Sequence, residues 1–245
     1  MDATLIAVAA GWGAGVGRLL PRPAYRLAVA PDRTWHADCP AGHPLAGAWE
    51  GWLGPARCRT CGDAAGHARP LTTGLVTAFV CAALAAATGP RPELVVWLLL
   101  APIAVLLCLV DLAVHRLPDV LTLPLAGAAV VLLGPASLVP GHAGAWPAAL
   151  LGGLALGGGY GVLFLINPAG LGFGDVKLAL GLGVMLGWYG LPCLLTGALL
   201  GLVLGALYGL GLLLLRRASR KEAFPLGPFL TAGAFCGLLL GAATA

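Results

Sequence analysis

The sequence predicts an all-α polytopic membrane protein, a bundle of about eight transmembrane helices with one small cytoplasmic loop segment. Three observations carry that prediction. The 245 residues are 59% hydrophobic and only 10% charged, with a mean hydropathy of +0.93, whereas soluble domains are about one quarter charged. The apolar residues gather in runs close to the ~20 residues that a helix needs to cross a bilayer. The cations fall almost wholly on one side of the bundle that those runs would build.

The runs predict helices over 3–20, 73–89, 94–114, 120–139, 147–166, 175–189, 192–215 and 227–244. The first is short and glycine-rich. Asp2 precedes it and its basic residues, Arg18 and then Arg22, come at its far end, so it lacks the basic start of a cleavable signal peptide. Residues 21–72 form the one sizeable polar stretch, rich in Pro, Arg, Trp, His and Cys. Placing that stretch in the cytoplasm puts the loops at 115–119, 167–174 and 216–226 on the same side. Every one of the 14 Lys and Arg except Arg91 then lies in those regions or their flanks, as the positive-inside rule requires. Both termini fall on the far side. The division expected is residues 1–72, a first helix plus a Cys/His segment, and residues 73–245, a membrane domain. A net charge of +4 is too small to argue for nucleic acid.

Gly197, Gly201, Gly205 and Gly209 recur every four residues, as do Gly153, Gly157 and Gly161. Such stripes let membrane helices pack closely and carry no chemistry of their own.

Acids do carry chemistry here. An ionised carboxylate at membrane depth costs at least ~2.5 kcal/mol and needs a partner or a function. Asp111, Asp119 and Asp175 all fall near the cytoplasmic ends of predicted helices. Asp111 has a bland alternative, pairing with His115 four residues on. Asp119 follows Pro118 and is placed to cap the next helix, and Asp175 also opens a helix. Gly172 and Gly174 before Asp175 exceed what a cap requires, allowing close backbone approach or positive φ. Two carboxylates facing one wet cleft do not ionise together easily. One holds a proton while the other activates water, which is aspartic-protease chemistry. Lys177 does not share a helical face with Asp175, so interfacial anchoring or a contact with another helix is its expected role.

Cys81, Cys108, Cys193 and Cys236 lie singly in apolar runs, as small hydrophobes do. Cys39, Cys58 and Cys61 lie in the polar stretch, a layout of a local metal or thiol site and not of a secreted disulfide framework.

"GFGDVK" (172–177) matches the G-x-G-D-x-K signature of type IV prepilin peptidases, membrane aspartic proteases whose G-x-G-D core is shared with presenilin-type proteases. "VDLAVHRLPDVLTLP" (110–124) resembles the family's first-aspartate region, and "FPLGPFL" (224–230) resembles the element opening its last helix. The resemblance implies that Asp111 and Asp175 are the catalytic pair, with Gly172, Gly174, Asp119 and Lys177 as supporting motif residues. It implies prepilin or pseudopilin substrates, a bacterial inner-membrane location, an active site near the cytoplasmic face, and proteolysis without a cofactor. Pilus or type II secretion assembly machinery and membrane lipid are the partners it implies.

The N-terminal third departs from the pattern. Longer members carry two C-x-x-C pairs and methylate the new N-terminus with S-adenosylmethionine. Here "GVGRLLPRP" (15–23) faintly resembles the end of the family's first helix, and "CRTCG" (58–62) resembles the second pair. In "CPAGHPL" (39–45) Gly42 stands where a Cys would, and His43 is the substitute. Cys39, His43, Cys58 and Cys61 then make a Cys3His zinc site. Reduced cysteines without metal, or His36 or His67 as the fourth ligand, stay as alternatives, and retention of methylation stays open. From another class, a proton-coupled transporter would place acids near the midplane and repeat its helical pattern; neither feature is read here.

Overall fold

The computed structural model describes residues 2–30, 33–54, 56–62, 65–168, 170–215 and 225–245. Arg216, Arg217, Arg220 and Lys221 of the expected basic loop lie outside the described residues, as does Phe224 at the head of the third motif. The described residues are helical throughout the membrane part and contain no strand beyond one isolated bridge, Asp38 with Pro44.

The first predicted helix is two. α1 (Ala3–Gly17) and α2 (Pro21–Leu27) meet at a bend of 44°. Pro21 and Pro23 cause it, because a proline ring suits the first turn of a helix and lacks the N–H that continuation would need. Arg22 of α2 is buried, and its guanidinium donates to the Ala46 and Leu53 carbonyls, tying down the polar segment that follows. That segment contains one helical turn, α3 (Ala48–Gly51). α4 (Pro70–Thr88) opens on Pro70 and is ended by Gly89 at φ +66°. It packs along α1 so tightly that a Cβ on Gly13 would stand 2.5 Å from the Thr77 carbonyl oxygen.

α5 (Glu93–Val114), α6 (Asp119–Ala136), α7 (Trp146–Ile166), α8 (Phe173–Gly187), α9 (Leu191–Leu214) and α10 (Gly227–Thr244) complete the bundle, close to the runs read from the sequence. Among the described residues, six helices are long and apolar enough to cross a membrane, α4 to α7, α9 and α10, and the bent α1–α2 pair would make a seventh if it crosses as one span. The chain is a multi-pass membrane protein.

α8 differs from the rest. Its 15 residues reach only about 22 Å at 1.5 Å per residue, against a hydrocarbon core of ~30 Å. It compensates by burial: α6, α7, α9 and α10 all pack on it, and from Leu178 to Trp188 nearly every residue is buried. A short helix enclosed by longer ones leaves space at its end, and its N-terminus is where Asp175 stands. The glycine stripes do what close packing needs. Gly197 and Gly201 on α9 face Gly233 on α10, where a Cβ would come within 2.2 Å of the Gly201 nitrogen.

Candidate active site

Two carboxylates from different helices meet at one end of the bundle. Asp111 lies in the last turn of α5, which closes at His115, a residue at φ +50° whose N–H donates to the Asp111 carbonyl oxygen at 2.8 Å. Asp175 is the third residue of α8. Asp111 is 4% exposed and Asp175 9%, yet both reach an open cleft of about 270 Å³. Asp119, Gly172, Gly174 and Lys177 line the same cleft. The fold therefore gathers all six motif residues, which the sequence spreads over two separate stretches.

Each carboxylate is held by a backbone N–H at the start of a helix. The Gly227 N–H, the first of α10, donates to Asp111 Oδ2 at 2.9 Å. A Cβ on Gly227 would lie 2.8 Å from that oxygen, so only glycine lets α10 begin against Asp111. The Gly172 N–H donates to Asp175 Oδ2 at 3.2 Å, and the Asp175 N–H donates back to the Gly172 carbonyl at 3.0 Å. Helix N-termini favour negative charge, which suits an ionised carboxylate. Asp175 lies close enough to feel the charge of Asp111, and proximity opposes ionising both.

The capping alternatives resolve differently for the two acids that open helices. Asp175 does take part in a cap, from the third position, with Gly172 as the N-cap. Asp119 does not: Pro118 is the N-cap, Asp119 is the first helical residue, and no side-chain cap bond forms. Its carboxylate instead accepts from Lys177 Nζ at 2.7 Å. Lys177 also lies over the Phe173 ring, 4.7 Å from its centroid. Neither Gly172 nor Gly174 has positive φ. Gly174 serves close approach, since a Cβ there would sit 3.0 Å from Leu117 Cβ in the α5–α6 linker.

The polar segment builds a second cluster. Cys39 to His43 form a tight turn in which the Cys39 N–H donates to the His43 carbonyl at 2.9 Å and Gly42 takes φ +79°. A cysteine at 42 would be strained there, and His43 supplies the ligand one residue later. Cys58 to Gly62 form a matching turn with Gly62 at φ +75°. The ligand atoms of Cys39, His43, Cys58 and Cys61 all lie within 4.8 Å of one another. Cys39 Sγ is 3.6 Å from His43 Nδ1 and 3.8 Å from Cys61 Sγ. A tetrahedral zinc site with ordinary bond lengths has S···N edges of about 3.6 Å and S···S edges of about 3.8 Å. Backbone N–H groups of Cys61 and Thr60 aimed at the Cys58 sulfur draw its thiol down to about 6, into the range where a thiolate ligand is available at neutral pH. The group has the geometry to hold a metal ion. His36, stacked on Tyr25 at 4.8 Å, and His67 lie outside it.

Residues 98–210, which contain all six motif residues of the cleft, match the type IV leader peptidase family. This part of the chain is similar to members of that family. A relative from Aeromonas salmonicida named prepilin leader peptidase/N-methyltransferase is 36% identical over 198 residues, which cover 78% of this chain and 64% of the relative. Relatives of the same name from Burkholderia pseudomallei (35% over 196 residues, 76% of this chain and 59% of the relative) and Pseudomonas aeruginosa (32% over 193 residues, 76% and 62%) match similarly. The chain thus spans less than two thirds of these relatives' own length. No solved structure matches it.

Three residues of this structure were not signalled by the sequence. Gly227 belongs to a recognised motif, but nothing local shows that its N–H meets Asp111. Tyr160 on α7 reads as an ordinary apolar-face aromatic, yet its hydroxyl is buried without a hydrogen-bond partner among the described residues. Glu93 reads as an exposed first-turn acid after Arg91. It is 0% exposed, at the opposite end of α5 from Asp111, and accepts from the Ala143 N–H at 3.2 Å.

Proposed function

We propose that this chain is a membrane aspartic endopeptidase that removes the leader of prepilins or pseudopilins, with Asp111 and Asp175 as the catalytic pair. The observation that carries this reading is the meeting of two buried carboxylates from separate helices in one open cleft, each anchored by a backbone N–H. The names borne by the relatives support the substrate class.

The chemistry follows from two carboxyl groups sharing one proton. The ionised member takes a proton from a water in the cleft, and the water oxygen attacks the scissile carbonyl carbon. The protonated member donates to the carbonyl oxygen as negative charge develops there. Collapse of the tetrahedral intermediate breaks the C–N bond, and a carboxyl proton passes to the departing amine. No metal or organic cofactor is needed for these steps. A cleft at the bundle's end, instead of its middle, suits a substrate that presents a soluble leader ahead of an apolar helix.

The side that holds nearly all Lys and Arg is assigned to the cytoplasm, which puts the cleft at the cytoplasmic face of a bacterial inner membrane. Residues 73–245 form the peptidase domain. Residues 1–72 add a first helix and a structural zinc site in which Cys39, His43, Cys58 and Cys61 would hold the ion and pin the polar segment. The second half of the relatives' name makes N-methylation of the new terminus, with S-adenosylmethionine as donor, the accompanying activity to test, and assembly machinery of pili or type II secretion the expected setting.

Mass spectrometry of a co-expressed prepilin's N-terminus tests this. Leader removal is expected with the wild-type chain, a 14 Da increment if methylation follows, and an intact leader with Asp111→Asn or Asp175→Asn. Normal processing by either variant would falsify the pair.

A further inference from the structure

Tyr160 is 3% exposed, and its hydroxyl has no hydrogen-bond partner among the described residues. A buried hydroxyl left unpaired costs about 1–3 kcal/mol, so such groups call for an explanation. Its location supplies one. The neighbouring Gly161 faces Val176, 3.8 Å from where its Cβ would be, so this part of α7 runs beside the first turn of α8. The small cavity at Tyr160 is lined by Ala179 and Leu182, one and two turns along α8 from Asp175, and by Leu230, one turn into α10 from Gly227. The cavity that Tyr160 lines therefore lies inward of the two helix starts that hold the aspartates. The cavity, about 10 Å³, is at the lower limit for one water, and its other lining is apolar, whereas a buried water needs two to four polar partners. The charge that acts on it is the Asp175 carboxylate, whose Oδ2 is engaged by Gly172, leaving Oδ1 for a further donor.

We propose that Tyr160 is a positioning residue for the peptidase reaction, its hydroxyl donating to Asp175 Oδ1 in the working state and holding that carboxylate toward Asp111. The inference rests on the reading of Asp111 and Asp175 as the catalytic pair. A donor to a carboxylate stabilises its ionised form, so losing the donor raises the pH at which it ionises. Activity needs one carboxyl ionised and the other protonated, so the limb of the pH–activity profile that reports Asp175 moves upward. The titratable and charged groups facing Asp175 in the cleft are Asp111 and His115 from α5 and its end, Arg116 and Asp119 beyond it, and Lys177 on α8. Tyr160→Phe leaves all of them in place.

The test is the pH profile of prepilin cleavage by full-length wild-type protein and Tyr160→Phe in detergent or nanodiscs. One limb of the profile, the one that reports Asp175, is expected to shift upward by about one pH unit, the scale of a single hydrogen bond to a charged group, with kcat lowered and KM within about twofold. 3-Fluorotyrosine at position 160, a stronger donor of nearly the same shape, is expected to move the limb downward, and it serves where Tyr160→Phe fails to accumulate. Profiles that superimpose on wild type overturn the inference while leaving the catalytic pair intact. Absence of cleavage by the wild-type chain overturns both.

Discussion

Lys177 Nζ lies 2.7 Å from Asp119 Oδ2, joining the first turn of α8 to the first residue of α6. The pair links the two elements that carry the G-x-G-D and Leu-Pro-Asp motifs, at the rim of the cleft. Asp119 is 59% exposed and Lys177 18%, so solvent screens the attraction. Exposed pairs of this kind contribute about 0–1 kcal/mol, which points to orientation of the rim and not to global stability.

Substitution of either partner is accordingly expected to leave expression and thermal stability near wild type. Lys177→Met and Asp119→Asn should each lower cleavage by roughly two- to fivefold, on the scale of one such pair. The double exchange Asp119→Lys with Lys177→Asp should recover part of the loss. Steady-state cleavage by the four proteins forms the check, and equal, additive losses in the double exchange would remove the pair from the argument.

Gly227→Ala is expected to be far more damaging than its size suggests. The new methyl would stand 2.8 Å from Asp111 Oδ2 and 3.2 Å from Leu117 Cδ2, forcing α10 away from the carboxylate it now anchors. General acid–base groups contribute about 10²–10⁴-fold, and displacement of Asp111 should forfeit much of that with little change in membrane insertion. Gly211→Ala, at a position with open space around it, is the matched control and should stay active.

Metal content is expected to follow the four-residue cluster. Elemental analysis of the purified chain should find about one zinc per molecule, as for a closed tetrahedral site, with loss in Cys58→Ser. Chelation should lower the melting temperature and expose residues 33–62 to protease. Cleavage chemistry should survive, because the cluster and the aspartate cleft are separate groups. Purified wild type with no bound zinc would remove that assignment.

Much of the architecture is legible locally. Run lengths place the six long helices, α4 to α7, α9 and α10, because a membrane-spanning helix needs a continuous apolar stretch whatever surrounds it; the runs at 3–20 and 175–189, expected as spans, are a bent pair and a short enclosed helix. Pro70 and Gly89 mark the ends of α4 by their own backbone preferences. The Cys-x-x-Cys half of the metal cluster is equally local, and His43 could be put forward for it because it lies four residues from Cys39.

Pairings between distant residues are not legible in this way. Gly227 and Asp111 are 116 residues apart and Lys177 and Asp119 are 58 apart. No local preference records which face of α6 Lys177 meets, so the sequence could only show that it does not share a face with Asp175. Glu93 is the same case: nothing in its own stretch records that the α6–α7 loop, with Ala143 donating to its carboxylate, makes it a buried tie.

By itself, then, the sequence determined a multi-pass helical bundle, the two acidic motifs and a Cys/His segment. These follow from apolar run length, from short signatures and from the expense of charge in hydrocarbon. Only the tertiary structure decided that α8 is short and enclosed, that α10 begins on Asp111, that Lys177 answers Asp119, and that the Tyr160 hydroxyl lies buried beneath the site. Each of these depends on which helices become neighbours. That choice is made by packing over the whole bundle, down to glycines that let backbones come within a few ångströms of one another.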